Sequence, residues 1–572
     1  MTDNGSGNSA TYSYLANSPW VGQIAFANGG QTRMTTTKQY DYLNRLTSIS
    51  SMPSAAAVVS FAYQYNSANQ RTAATSTDGS YWTYGYDPLG QVTSGAKRWG
   101  DNSLVAGDQF QYAFDTIGNR TVTATGGDQN GNNLRSATYS ANNLNQYTSR
   151  TVPGYAEITG SAASNASVTI GTGPTACLAP YRKTNYFWGE LAVANSSSAA
   201  WLGITNVGVV ANGTNRATAS LSSGGLFVLQ TPEQFRYDGD GNLTNDGRWS
   251  YFWDAENRLA KMAANTSVGP QISLVFGYDW QGRRIQKQVW PDASCSGTPT
   301  NNATFLYDGW SLIATLNATN NLRIQSYIWG LDLSGSPPPQ EDTTAGGLLG
   351  LVDAVHGAQF ASYDGNGNVT ALIAVGGTIS AQYEYGPSGE VICSTGLLAA
   401  LKPFRFSTKY HDGETDLLYC GYRYYNPSTG DWLSRAQTDD PGFAALRDSD
   451  ASSEDVAGID AADLDDSAED AEFDAGDTAE MAFVNNDLIN DWIILEAASG
   501  GRSVGSGAST STAAKGKKPP KGKNVKITFY CNVTVRRSRL TLRCGGVAGW
   551  QGETTIISIP DATTPPQRQS ES

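Results

Sequence analysis

A short pattern recurs along this chain: an aromatic residue, an Asp or Asn, two variable residues, a Gly or Asn, then Asn, Gln or Arg, and an apolar residue. It reads YDYLNRLTS from Tyr40, YNSANQRT from Tyr65, YDPLGQVTS from Tyr86 and FDTIGNRTV from Phe114. It returns as YSANNLNQYTS from Tyr139, YDGDGNLTN from Tyr237, WDAENRLAK from Trp253 and YDWQGRRIQK from Tyr278. YDGNGNVTA from Tyr363, YGPSGEVIC from Tyr385 and YNPSTGDWLSR from Tyr425 complete the series. Clear copies lie roughly 20–30 residues apart, which is the sequence sign of a repeat architecture.

The physics of one copy is that of a β-hairpin. Stretches such as FAYQY and SAQYEY before the turn alternate with period two and are rich in aromatic residues. Asp or Asn at the first turn position bonds to its own backbone two residues on, and the later Gly or Asn tolerates a positive φ. A lone two-stranded hairpin is unstable in water, so the copies must pair edge to edge, which also aligns their aromatic side chains. The tyrosines are therefore read as structural.

Composition agrees with this reading. Charged residues are only 16% of the chain, against roughly 25% in an average domain. With 29 tyrosines and 62 glycines, the chain reads as all-β with many tight turns. At 572 residues it exceeds the size that one core normally serves. Residues 151–235 interrupt the repeat while still alternating, either as an elaborated stretch of the same sheet or as a small inserted β-domain that binds a ligand.

The formal charge of −14 is unevenly spread. Residues 436–500 hold 19 acids against Arg447 alone, whereas 515–572 is basic, so nucleic-acid affinity cannot be argued for the whole chain. The acidic run from Arg447 to Glu480 has the composition of a disordered insertion and lacks a twelve-residue calcium loop. Ser499 to Lys523 reads as a flexible linker. Beyond it, Lys526, Arg536, Arg537, Arg539 and Arg543 mark short strands with a basic face, a candidate for phosphate or anionic surfaces. This tail has no histidine, and Glu553 and Asp561 are its only acids before the extreme end, so a nuclease constellation is not readable there.

Six scattered cysteines form no CxxC, and the two histidines, His356 and His411, speak against a metal centre; no metal or cofactor is expected. Cys531 and Cys544 can flank a hairpin and form a disulfide across it, or stand as two unpaired strand cysteines. The first residues carry neither a basic n-region nor an apolar h-region, and no run of 18 apolar residues occurs, so no secretory signal and no transmembrane segment are read. Cytoplasmic residence, export without a cleavable signal, and origin as the C-terminal part of a longer product all remain open.

Taken with the repeat, residues 417–435 resemble the repeat-associated core of the YD-repeat (Rhs) proteins. The resemblance rests on Tyr422, Arg423, Tyr424, Tyr425, Asn426, Pro427, Gly430, Trp432, Leu433, Ser434 and Arg435. It implies a spiralling β-sheet that forms a hollow shell, a core that caps one end, and a variable C-terminal module, often a toxin, beyond it. It also implies secretion or display at the cell surface, and self-cleavage by paired aspartates of which one holds a proton while the other activates water. Asp440, with Asp487 or Asp491, are the candidate autoprotease residues. The pattern departs at Ala436, where the family carries aspartate, and at Leu488 and Glu496 in the worn block MAFVNNDLINDWIILEA.

The expected organisation is a YD-repeat sheet over 1–150, the irregular stretch or insertion over 151–235, and a second YD-repeat sheet ending in the core motif over 236–435. A degenerate core with the acidic insertion (436–498), a flexible linker (499–523) and a small basic β-rich module (524–572) follow. Three functions are weighed. The first is a structural scaffold carrying its C-terminal module, the second a self-cleaving toxin-delivery shell with that module as cargo. The third is a carbohydrate-binding adhesin that stacks sugars on aromatics such as Trp188 and Trp201. The corresponding partners are the chain's own C-terminal module, neighbouring cells, and cell-surface glycans.

Overall fold

Most copies of the repeat fold as a hairpin whose turn is tied by a polar residue at its start. In this computed structural model, residues 7–172, 177–211, 217–330 and 347–435 are described, together with the backbone of Thr2–Asp3, Ile527–Tyr530, Leu542–Gly546 and Trp550–Ile559. Asp41 Oδ1 accepts the amides of Leu43 (2.9 Å) and Arg45 (3.0 Å). The same pair of bonds recurs at Asn66, Asp87, Asp115, Asn142, Asp238, Asp254, Asp279 and Asp364. The residue before the returning strand then takes a positive φ, 58° at Asn44 and 84° at Gly90, which is why Asn or Gly stands there.

The aromatic residue sits at a β-bulge. Pairing slips by one residue at Gln39/Tyr40, Gln64/Tyr65, Gly85/Tyr86, Phe252/Trp253, Gly277/Tyr278, Ser362/Tyr363 and Glu384/Tyr385. A bulge locally disrupts the ladder, and the next hairpin bonds the carbonyl at this point. Tyr65 donates to Leu46 O (2.7 Å), which lies opposite Tyr40; Tyr86 donates to Arg71 O (2.7 Å), opposite Tyr65. The link repeats from Trp253 to Leu243, Tyr278 to Leu259, Tyr307 to Arg284, Trp329 to Leu312, Tyr363 to Leu348 and Tyr385 to Val369. The signature tyrosine is thus the strap between successive hairpins. Tyr307 and Trp329 take part although sequence pattern alone did not single them out.

Stacked this way, strands pair in chain order. One antiparallel sheet of 14 strands runs from Thr2–Asp3 to Tyr147–Arg150 and ends on Glu233–Gln234; a second of 14 runs from Arg236–Tyr237 to Val391–Thr395. Because Arg150 pairs directly with Glu233 and Ser149 with Gln234, the wall continues past the interruption. The residues between leave the wall and build two small sheets of their own, over a core that includes Val152, Ile158, Phe187, Ile204 and Val228. Tyr155–Ser161 of that unit runs parallel to Ile527–Tyr530, and Ala217–Val228 runs antiparallel to Trp550–Ile559.

The long wall bends back on itself. Phe26 meets Phe360 with ring centroids 5.4 Å apart, Tyr63 OH accepts the Gly365 amide (2.5 Å), and Trp82 Nε1 donates to Glu384 (3.1 Å). Early strands of the first sheet therefore face late strands of the second, while Tyr139 and Tyr147 share a core with Trp249, Leu259 and Met262 near the bend. Among the described residues helix is limited to two short 3-10 turns, and the sheet does not close into a barrel. A four-stranded sheet (Tyr410–Asp412, Leu417–Tyr419, Tyr424–Asn426, Asp431–Trp432) fills the fold, contributing Leu418 and Tyr425 to one core cluster and Leu417, Tyr419 and Tyr424 to another. The acidic stretch and the linker expected over 436–523 lie outside the described residues.

Candidate functional site

The closing sheet of residues 410–435 is where the recurring pattern ends and where the wall's buried charges converge. Its sequence gives a tight turn at Asn426-Pro427-Ser428-Thr429-Gly430. Asn426 Oδ1 accepts the Ser428 amide (3.0 Å), and Asn426 O accepts the amides of Thr429 (3.1 Å) and Gly430 (2.8 Å). Gly430 has φ +66°, and a Cβ there would lie 2.2 Å from the Arg120 guanidinium carbon. Only glycine lets that arginine through.

Three arginines from the wall grip this sheet. Arg120 Nη1 donates to Thr429 O (3.1 Å), its Nη2 reaches Ser388 Oγ (2.5 Å), and its plane lies 4.7 Å from the Tyr112 ring. Arg150 donates to Ser428 O (3.1 Å) while forming an ion pair with Glu233. Arg284 binds Asp412 Oδ2 (2.6 Å) inside a cage of Phe276, Phe305, Tyr410, Tyr419 and Tyr424, with centroid distances between 4.5 and 5.7 Å. Lys287 bridges Asp412 (2.7 Å) and Glu414 (2.6 Å). Arg120 and Arg150 come from the first sheet and Arg284 from the second, so this small sheet ties the two together.

The electrostatics follow from burial. Burial alone would raise Asp412, yet Arg284 and Lys287 hold its carboxyl below the usual range, so it stays ionised. Burial pushes Asp431 up to about 8, against its bond to the Trp432 amide and the pull of Arg120 and Arg423, so it holds a proton at neutral pH. Burial likewise pushes Glu233 up, to about 7, despite Arg150 beside it, and raises Glu390. A buried ion pair contributes little net stability compared with an apolar pair, but it fixes one arrangement and makes loss of a single partner costly.

The motif residues of the sequence analysis assemble around this grip. Tyr424 and Tyr425 are fully buried; Tyr424 bonds Tyr278 OH (2.9 Å) and Tyr425 donates to Ser388 O (3.1 Å). Arg423 stacks 4.0 Å over Trp432, Trp432 packs edge-on to Tyr425 (5.6 Å), and Tyr422 lies 4.7 Å from Trp310. Arg435 lies against Gly241, where a Cβ would meet its Nε at 2.5 Å. Pro427 sits inside the turn. Asp440, Asp487, Asp491 and Cys531 lie outside the described residues, as does the side chain of Cys544, so the autoprotease pair and the disulfide have no geometry here.

Trp188, in the interrupting unit, donates to Glu157 Oε1 (2.6 Å), and Trp201 is 37% exposed while packing on Gly225. Among the described residues no cluster of three His, Cys, Asp or Glu could hold a metal ion. The wall-side partners Arg120, Arg150, Arg284 and Lys287 were not picked out from sequence. Their sole local signal is a basic residue in a strand facing the core, and burial of that face appears only once the wall folds back. The arrangement fastens strands, and its charges are spent on one another and on backbone carbonyls.

Comparison with known proteins adds the following. The RHS Repeat family matches residues 63–100. The tRNA3(Ser)-specific nuclease WapA of Bacillus spizizenii is 31% identical over 206 residues, covering 35% of this chain and 8% of that protein. The Double-stranded DNA deaminase toxin A of Burkholderia cenocepacia is 24% identical over 234 residues, covering 38% of this chain and 16% of that protein. The chain thus spans only a small part of the length of either relative. Of solved structures, the crystal structure of TcdB2-TccC3 aligns over 73% of this chain and 21% of that chain, at 16% identity and a TM-score of 0.30, too low to equate the two arrangements.

Proposed function

This chain is a YD-repeat (Rhs) protein, and we propose that it is the wall of a delivery scaffold that carries its C-terminal residues as a separable module. The observation that supports this reading is the closing sheet. Both halves of the wall are pinned to it through Arg120, Arg150 and Arg284, and the chain then leads from Arg435 into the acidic stretch, the linker and the basic module. A wall fastened at that point keeps its shape whatever follows, which suits a variable tail. The named activities of the relatives, a tRNA nuclease and a double-stranded DNA deaminase toxin, favour a toxic cargo in residues 524–572. Secretion or display at the cell surface belongs to the same reading; among the described residues no helix is long and apolar enough to cross a membrane.

Release of the module by Asp440 with Asp487 or Asp491 is part of this proposal. Intact-mass measurement of purified full-length protein held at pH 5 and pH 7 tests it. A fragment of roughly the last 75 residues, absent from Asp440→Asn and Asp491→Asn variants, is the expected result under the two-carboxylate mechanism. A single intact mass at both pH values removes self-cleavage. Absence of growth inhibition when the full chain and residues 497–572 are each expressed in bacteria removes the toxic cargo.

A further inference from the structure

The unit that leaves the wall between Arg150 and Glu233 carries two long strand edges with none of the usual protection. Exposed edges are normally blunted by charge, proline or a bulge, because their free amides and carbonyls recruit other strands. Ala217–Val228 reads ATASLSSGGLFV, with no charged residue and no proline over 12 residues, and inside the unit it pairs only with Ala200–Ala211. Tyr155–Ser161 reads YAEITGS and pairs inside the unit only with Tyr186–Ala192. Its one charge, Glu157, is buried and bonded to Trp188 rather than guarding the edge.

Both edges are taken up by the end of this same chain. Ala217 to Ser222 pair antiparallel with Ile559 to Thr554, and Ile158 to Ser161 pair parallel with Ile527 to Tyr530. The incoming segments, ITFY and TTIISI, are rich in β-branched and aromatic residues and suited to pairing. A third strand, Leu542–Gly546, extends the sheet from Trp550–Ile559.

We propose that residues 151–232 are a docking module for the chain's own C-terminal segment, and that strand addition holds the strands Ile527–Tyr530, Leu542–Gly546 and Trp550–Ile559 there after the connection over 436–523 has been cut. Main-chain pairing supplies the affinity and needs no particular side chain at the contact. The wall stays undisturbed, because Arg150 and Glu233 pair in register across the point where the unit leaves. This inference rests on reading 524–572 as a separable module, but not on that module being toxic.

The test uses the full chain with a protease recognition sequence inserted after Gly505. After cutting, the C-terminal fragment should co-elute with the remainder on size exclusion and separate from it in urea. A fragment that elutes alone in native buffer overturns the proposal. A second measurement uses the uncut full chain carrying Ile556→Pro and Ile557→Pro, which removes two neighbouring amides from the tail and leaves residues 151–232 unaltered. Hydrogen exchange at residues 217–222 should speed up about tenfold or more as that edge opens locally, with Tyr186–Ala192 unchanged. Unchanged exchange at 217–222 overturns the proposal. A tail that co-elutes but never slows growth removes the cargo reading and leaves the docking module standing.

Discussion

The phenol of Tyr278 donates a 2.9 Å hydrogen bond to the carbonyl of Leu259, the residue lying opposite Trp253 at the bulge of the preceding hairpin. One bond of this kind joins each hairpin to the one before it through long runs of the wall. It gives the recurrent aromatic a task that ring burial alone would not demand, since phenylalanine would bury as well.

Tyr278→Phe should therefore destabilise the protein by about 1–3 kcal/mol, since it removes the bonds to Leu259 O and to the buried Tyr424 hydroxyl. Tyr42→Phe, at a fully exposed turn position, should change nothing measurable. Urea unfolding followed by tryptophan fluorescence checks both. Equal midpoints for Tyr278→Phe and the parent chain would show that the strap carries no stability.

Arg284→Met should cost about 3–5 kcal/mol, because it leaves Asp412 buried with only Lys287 as a partner. Replacing both, Arg284→Met with Asp412→Leu, should recover much of that loss, since an apolar pair of similar volume avoids the desolvation penalty. Protease susceptibility near residues 410–435 in the two variants reads the difference.

Gly430→Ala should loosen the closing sheet by about 1–3 kcal/mol, combining a positive φ with a Cβ directed at the Arg120 guanidinium. Adding Arg120→Ala to it should cost less than the sum of the two single changes, because the clash is then gone. A double-mutant cycle on urea midpoints measures this coupling.

The closing sheet should weaken as pH rises. Asp431 holds its proton up to about 8 in the folded chain but only to the ordinary carboxyl value of 3.8 when unfolded. Between these values the folded state binds the extra proton, so the contribution of Asp431 is greatest below about pH 4 and falls until about pH 8, where it levels off. Glu233, raised to about 7, adds to the same trend over a narrower window. Asp431→Asn should flatten the decline between pH 5 and 8 in urea midpoints taken at each pH. A parent chain whose midpoint rises over that interval would contradict the assignment.

Much of the wall is local information and could be read from the chain. Asp41, Asp87 and Asp279 each tie a turn through amides two and four residues on, so pattern and geometry coincide within a few residues. The hairpin at Tyr307 escaped because its turn, Asp308-Gly309, lacks the polar-Gly spacing of the other copies, and the register slips at Tyr307 and Trp329 show only in the pairing. The chain also could not announce that Arg71 would bond Gly365 O, 294 residues away, or that Arg120 would reach Thr429. Those partners carry no shared period.

What the amino-acid order settled by itself was the unit: turn chemistry, strand alternation and an aromatic at each bulge, all of which act within one hairpin and its neighbour. Only the tertiary structure decided where the wall bends, which basic side chains become buried, and that residues 410–435 fasten both halves. The physical reason is range. Turn and bulge preferences are satisfied between adjacent strands, whereas the fold-back is chosen by burial and charge pairing between faces hundreds of residues apart, to which many sequences with the same local pattern would be indifferent.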